Sequence, residues 1–367
     1  MSLRYPVIYN PDNQRVEELQ DADTQPPSII EGLMGRNRVI NGDLSYWQRG
    51  TSQAMRDTGF APLYLAPDRF YMAAATTQVG MSRQSFALGQ TDVPGGPRYF
   101  IRYSVSSVPG SSSLGYGGHT FEGVDTFAGV RSTLCFWARS ITGPRNLGLS
   151  FVQSFGSGGS ADVNTVLPVV SLTTQWQFYV VPVYLPSVSG KILGSNDHLR
   201  LRMWMDVGSN YTDIAGAVGQ QSGDFDFALL QFEAGTIDRP RFEFRHSAHE
   251  LILCQRYYEK SYNLGTAPGT ATRVGGHAAE LQTGYLLSAP VVRFSQRKRT
   301  SPAIIVYNTS DGTAGQISEN DVSGQHRINH PALLDAIGSM SFEAYVGNGT
   351  GTPNNVARFQ WTADAEL

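Results

Sequence analysis

Apolar and polar residues alternate along much of this chain in short bursts, the period-two signature of half-buried strands. The clearest runs from His198 to Asp206: Leu199, Leu201, Met203 and Met205 share one face, and Arg200, Arg202 and Trp204 share the other. Thr133–Arg139, Gln175–Leu185 and Phe225–Glu233 read the same way, separated by Gly-, Ser- and Pro-rich turns such as Pro109–Gly118 and Gly156–Ser160. Near the start, Tyr5–Tyr9 and Gln14–Leu19 flank an Asn10-Pro11-Asp12-Asn13 turn, which predicts a hairpin too small to fold alone. A polar, Pro-rich stretch from Asp21 to Pro27 then detaches it as an arm. Ser247-Ala248-His249-Glu250 has the spacing of a capping box and predicts a short helix through about Gln255. Beyond it, Tyr257–Tyr262, Val291–Phe294, Ala303–Tyr307, Ser341–Val346 and Val356–Trp361 form a second strand-rich region. No heptad, Gly-X-Y or longer repeat is present, which excludes a fibrous shaft.

Composition agrees with an all-β reading. The 367 residues include 39 Gly, 19 Pro, 18 Phe and 17 Tyr but only 16% charged residues, which suits short strands and tight turns. That length exceeds one ordinary core. A net charge of −3 with scattered basic residues leaves no footprint for nucleic acid. The densest basic cluster, Arg297-Lys298-Arg299, is expected as a solvated edge or turn. No apolar leader or run of about 20 apolar residues is present, so synthesis as a soluble cytosolic chain without membrane insertion is expected. Cys135 and Cys254 are far apart and read as buried small hydrophobes. Free termini are disordered unless tied down, so both ends are expected to be held by partners.

Gly-x-Ser-x-Gly is missing, and Gly190-Lys191 lacks the flanking residues of a phosphate loop. His246 and His249 lack the second histidine of a zinc helix and read as helix-start residues. Asp206, Asp213, Asp224, Asp226 and Glu233 could serve glycoside hydrolysis only as a facing pair, and the spacing selects none. Asp43 and Asp226 alone do not make a calcium site, so no metal or cofactor is expected. Trp47, Trp137, Trp176, Trp204 and Trp361 could stack on sugar rings. Strand alternation singles out Trp204 as the candidate glycan or subunit contact.

Several landmarks recur together in order: Asn41-Gly42-Asp43, Trp47-Gln48-Arg49-Gly50, Asp68-Arg69-Phe70, Phe136 to Ser140, Gln231 to Gly235, Phe242-Glu243, and Glu250-Leu251 through Cys254 to Tyr258. As a set they resemble the carbohydrate-binding-module-like jelly roll common in bacteriophage tail-fibre and related virion proteins, over roughly Arg36 to Tyr258. The arm with Pro11-Asp12 and Val16–Leu19 resembles the start of many phage fibre chains, and Trp361–Leu367 resembles their close. Physically, Asp68-Arg69 and Phe242-Glu243 with Arg245 suit charge-assisted links at strand ends, with Trp47, Phe136 and Phe232 as core volume.

The expected architecture is all-β: an N-terminal β-hairpin arm and linker (1–35), a jelly-roll β-sandwich (36–256) and a second, smaller β-sandwich at the distal tip (257–367). The resemblance implies a non-enzymatic structural virion protein, a short homotrimeric tail fibre or receptor-binding protein displayed on the virion surface. Its partners would be other virion proteins, through the arm, and a host-surface glycan for host attachment. The alternatives are a capsid, collar or head-fibre decoration protein and a polysaccharide depolymerase.

Overall fold

The computed structural model describes residues 7–10, 15–18, 35–238, 240–281, 291–347 and 351–367. The chain divides into two compact units, 1–36 and 37–367. In the first, β1 (Val7–Asn10) pairs antiparallel with β2 (Arg15–Glu18), Val7 opposite Glu18 and Asn10 opposite Arg15. The predicted turn residues Pro11–Asn13 and the Asp21–Pro27 linker lie outside the described residues.

The larger unit opens with β3 (Ser52–Arg56), β4 (Phe70–Ala75), β5 (Gln78–Ser85), β6 (Tyr99–Ser106), β7 (Leu114–Glu122) and β8 (Arg131–Ser140). Next come β9 (Arg145–Ser154), β10 (Val163–Val166), β11 (Val170–Leu172), β12 (Gln177–Tyr184), β13 (His198–Val207) and β14 (Gly223–Ala234). They form two antiparallel sheets, ordered β10-β9-β13-β7-β4 with β11 also on β9, and β12-β8-β14-β6-β5-β3. Between the sheets lies one core. Leu199, Leu201, Met203 and Met205 of β13 point into it, as the alternation predicts, and Phe151 of β9 stacks on Phe232 of β14 at 4.9 Å. Trp47 and Phe136 join the same core. This is the jelly-roll sandwich.

Two local features depart from simple alternation. In β14 a bulge between Ala228 and Gln231 inserts a residue, so Phe225 and Phe227 face inward before it and Leu230 and Phe232 face inward after it. The Pro109–Gly118 stretch, expected as a turn, already enters β7 at Leu114. Its glycines serve close packing there: a Cβ on Gly117 would meet the Tyr103 ring at 2.4 Å.

A short helix α1 (Thr212–Ala215) precedes β14, and α2 (Ser247–Gln255) follows it over the predicted span. The predicted capping box is not how α2 starts. His246 is the N-cap, its Nδ1 accepting from the Ala248 amide at 3.3 Å, while Glu250 turns away to accept from the Asn41 amide and pair with Arg245. Among the described residues no helix is long and apolar enough to cross a membrane.

The remaining strands are β15 (Tyr258–Lys260), β16 (His277–Glu280), β17 (Val292–Arg293), β18 (Ala303–Asn308), β19 (Gln316–Asn320), β20 (His326–Asp335), β21 (Ser341–Val346) and β22 (Val356–Asp364). They form a third sheet, β15-β22-β19-β20-β21-β17, with β16 and β18 also on β22. One half of β20 pairs with β19 and the other with β21, so the chain passes from one layer to the other. Phe342 of β21 then packs on Trp361 of β22 at 5.6 Å and on Phe294 at 5.8 Å. This is the second, smaller sandwich.

A buried ionic seam ties the two sandwiches together. Arg49 reaches Asp364 at 3.0 Å and Glu366 at 3.2 Å, with Asp68 at 3.6 Å, and its guanidinium lies 3.8 Å from the centre of the Tyr258 ring. Arg69 pairs with Glu366, donates to the Thr120 carbonyl at 2.5 Å, and stacks over Tyr257 at 3.4 Å. The Ala365 amide donates to the Tyr257 carbonyl at 2.7 Å. The C-terminal end, expected to be held by a partner, is therefore held by its own chain. Lys298 also corrects an expectation: it is 1% exposed, with its ammonium on Glu259 and the Gln255 carbonyl. A buried cation must find partners, and these are supplied locally.

Two outcomes follow from this burial. Glu366→Ala would leave Arg49 and Arg69 short of their shared carboxylate, and urea unfolding should show a loss of about 3–5 kcal/mol. A loss below about 1 kcal/mol would contradict the seam's role. His119 is buried with Nε2 at 3.2 Å from the Ile40 amide, and burial, reinforced by Arg69, holds it well below the ordinary imidazole range. It stays neutral when folded and takes up a proton when unfolded. Its contribution is therefore complete above about pH 6.5 and falls as the pH drops further. His119→Phe should flatten the stability profile between pH 7 and 5, as read by the wild-type-minus-variant difference.

Candidate functional site: the outer face of the second sheet

Strand parity on β6, β14, β8 and β12 sends one set of side chains into the core and the other outward. The outward set holds Arg102 of β6, Asp226 of β14, Trp137 and Arg139 of β8, and Phe178 of β12. Register places Asp226 directly opposite both Arg102 and Arg139. Its carboxylate accepts from Arg102 Nε at 2.7 Å, Arg102 Nη2 at 2.9 Å and Arg139 Nε at 2.9 Å. These hydrogen bonds hold the Arg102 guanidinium above its already high ordinary value. Two cations thus share one buried anion, leaving a net positive spot.

Aromatic rings surround it. Arg139 lies over Trp176 at 4.7 Å and over Phe100 at 5.7 Å. Trp137 and Phe178, paired across β8 and β12, sit 5.3 Å apart, and Phe178 is 37% exposed. The terminal amines of Arg139 make no hydrogen bond among the described residues. Flat apolar rings beside free N–H donors can accept the C–H face of a sugar and bond its hydroxyls.

Trp204 is elsewhere and corrects the expectation placed on it. It does face away from the main core, but the chain covers it: Tyr116 packs on its ring at 4.5 Å, Ala215 and Val218 belong to the same cluster, and Nε1 donates to Ser150 Oγ at 2.9 Å. At 1% exposed, its ring is covered by its own chain. Trp47, Trp176 and Trp361 are buried as well, and only Trp137 keeps a partly open ring.

The carboxylates weighed for hydrolysis have separate engagements. Asp206 takes Thr77 and the Gln221 amide, Asp224 takes Ser104, Asp226 takes the two arginines, and Gln231 donates to Glu233. Asp213 lies exposed on α1. Asp43 binds Ser45, away from any shared set with Asp226, and among the described residues no three His, Cys, Asp or Glu side chains gather as metal ligands. Cys135 and Cys254 are both buried, as expected.

The landmark motifs are architectural. Asn41 adopts φ 60°, and its side chain bonds Tyr46 and the Asp68 carbonyl. Gly42 follows because a Cβ there would lie 2.2 Å from the Leu230 carbonyl oxygen. A cavity of about 240 Å³ opens beside this region, lined by Trp47, Gln48, Arg83, Lys260 and Thr266. Burial lowers the Lys260 ammonium to about 8. It donates to the carbonyls of Gln48 at 2.7 Å, Leu264 at 3.0 Å and Thr266 at 2.6 Å, so its protons clamp the loop and are not offered to a ligand.

No family model and no curated protein matches this chain. Among solved structures, it is similar to the enzymatically active domain of tailspike protein 4 from bacteriophage CBA120, at 12% identity over 55% of this chain and 22% of that one, with a TM-score of 0.29. It is also similar to the family 11 carbohydrate-binding module from Clostridium thermocellum (11% identity, 52% of this chain, 99% of that one, TM-score 0.30). A third is the CBM22-2 xylan-binding domain from Paenibacillus barcinonensis (13%, 54%, 98%, TM-score 0.30). The chain spans less than a quarter of the tailspike's length. At these scores none of the three carries a site or an activity across.

Removing the shared anion tests the face directly. Asp226→Asn would leave Arg102 and Arg139 without their carboxylate, and unfolding should show a loss on the order of 3 kcal/mol. Unchanged stability would mean that the two guanidiniums are satisfied by solvent.

Proposed function

We propose that this chain is a structural bacteriophage virion protein, a short trimeric tail fibre or receptor-binding protein that docks by its N-terminal arm and presents its body to a host-surface glycan. The observation that carries the reading is the division of the chain into a hairpin-bearing unit, 1–36, and one compact unit, 37–367. A two-stranded hairpin is too small to be stable alone in water and gains by pairing with other chains. The compact unit is built for rigid display, because its buried charges are paired across the seam. The Trp137–Phe178 pair beside Arg139 supplies the contact chemistry for saccharide. No residue is assigned catalysis.

The second reading, a capsid or collar decoration protein, shares the anchor and dispenses with the saccharide face. The two separate on Trp137→Ala with Phe178→Ala, which should reduce adsorption of particles to host cells in the first reading and leave it unchanged in the second. A depolymerase would release new reducing ends from host capsular polysaccharide, and none are expected. Light scattering should give three times the chain mass at micromolar concentration. A stable monomer would remove the trimer.

Deleting Met1–Pro27 tests the anchor. Circular dichroism of the truncated chain should keep the β-sheet signal and its melting transition, while incorporation into particles is lost. Undiminished incorporation would overturn the proposed attachment.

A further inference from the structure

The first sheet also has an outward face, and its charges are arranged differently. Arg200 and Arg202 alternate with core residues on β13, so both guanidiniums project from one side of the sheet about 7 Å apart along the strand. Both side chains are half-buried. Arg200 lies 5.8 Å from the centre of the Tyr71 ring, and Arg202 lies 5.5 Å from Tyr116 and 5.6 Å from Trp204. Arg200 Nε donates to Thr120 Oγ1 at 3.3 Å. Among the described residues neither guanidinium has a carboxylate partner, and Arg202 Nε is buried with no hydrogen-bond partner at all. The nearest acidic residue along β13, Asp206, is taken by Thr77 and the Gln221 amide.

The contrast with the second sheet is informative. There Asp226 neutralises one of two arginines. Here two guanidiniums rest on aromatic rings, one with an orphaned donor, and among the described residues no carboxylate pairs with either. A buried donor left unmade is costly, and an arginine fork fits a carboxylate with two parallel hydrogen bonds. Two forks in line along a strand suit a ligand that repeats its carboxylates.

We propose that the outer face of the first sheet, centred on Arg200 and Arg202, binds an acidic polysaccharide through its carboxylates. This rests on the reading that the chain contacts saccharide, and it names the charge class and a second face for that contact. Tyr116 and Trp204 hold the Arg202 fork from below, and Thr120 orients Arg200.

Calorimetric titration of the purified full chain tests it, with hexagalacturonate as the acidic probe, xylohexaose as the neutral one, and inorganic phosphate at matched ionic strength. Hexagalacturonate should bind, and its affinity should fall as salt rises. Arg200→Gln with Arg202→Gln should weaken it at least tenfold, while Arg202→Lys, which keeps the charge and loses the fork, should weaken it severalfold in a folded protein. Val322→Ser, at an exposed turn of the second sandwich, should leave it unchanged. No binding of hexagalacturonate, equal binding of xylohexaose, equal displacement by phosphate, or full affinity in both arginine variants would each overturn the proposal. Because purified protein is used, such a failure is distinct from failure of the virion reading, which the arm deletion decides on particles.

Discussion

The rest of the structure depends on two arginines sharing the carboxylate of Glu366. Arg49 and Arg69 come from the first sandwich and Glu366 from the end of the second, and all three side chains are almost wholly withdrawn from water. A buried ion pair contributes little net stability relative to an apolar contact, because desolvating the charges offsets most of their attraction. Its effect is on geometry: any displacement that separates the partners strands a charge in a low-dielectric interior. Tyr257 and Tyr258 extend the constraint by laying their rings against the same guanidiniums just where the chain crosses between the sandwiches. The result is two cores joined within one compact unit.

That constraint explains why so many chemistry-bearing residues are silent. Asp68, Arg69, Glu250, Arg245 and Lys298 would each draw attention in a sequence, yet Asp68 accepts from Gln48, Arg69 pairs with Glu366 and the Thr120 carbonyl, Glu250 pairs with Arg245, and Lys298 pairs with Glu259. The landmark motifs fall at these joints. What remains to meet a partner is on the two outer sheet faces, where strand parity exposes arginines and aromatics that the core does not use. On the second sheet a carboxylate tempers the positive charge, and on the first no carboxylate among the described residues pairs with Arg200 or Arg202.

Much of the fold was legible in the residues. Period-two runs located β8, β12, β13, β14 and β21, Ser247 onward marked α2, and the opening hairpin was read from its turn chemistry. The errors share a cause. Trp204 was placed correctly on the outer side of β13, but the local pattern could not show that α1 and its neighbours fold back over it. Gly117, inside β7, looked like part of a turn because its packing partner, Tyr103, is on another strand. Lys298 looked solvated because Glu259 is distant in sequence. The Arg102–Asp226–Arg139 row needed the strand order β8-β14-β6, which no local pattern encodes. Pairwise contacts across the chain, rather than residue types, decide which polar groups stay available.

The central claim, that this chain is a displayed component of a phage particle, is tested most directly by locating it. Electron microscopy of purified virions labelled with an antibody raised against residues 37–367 should show label at the particle surface, in symmetry-related positions at the tail. Particles that carry no label anywhere, alongside a cell lysate rich in the free chain, would contradict the account.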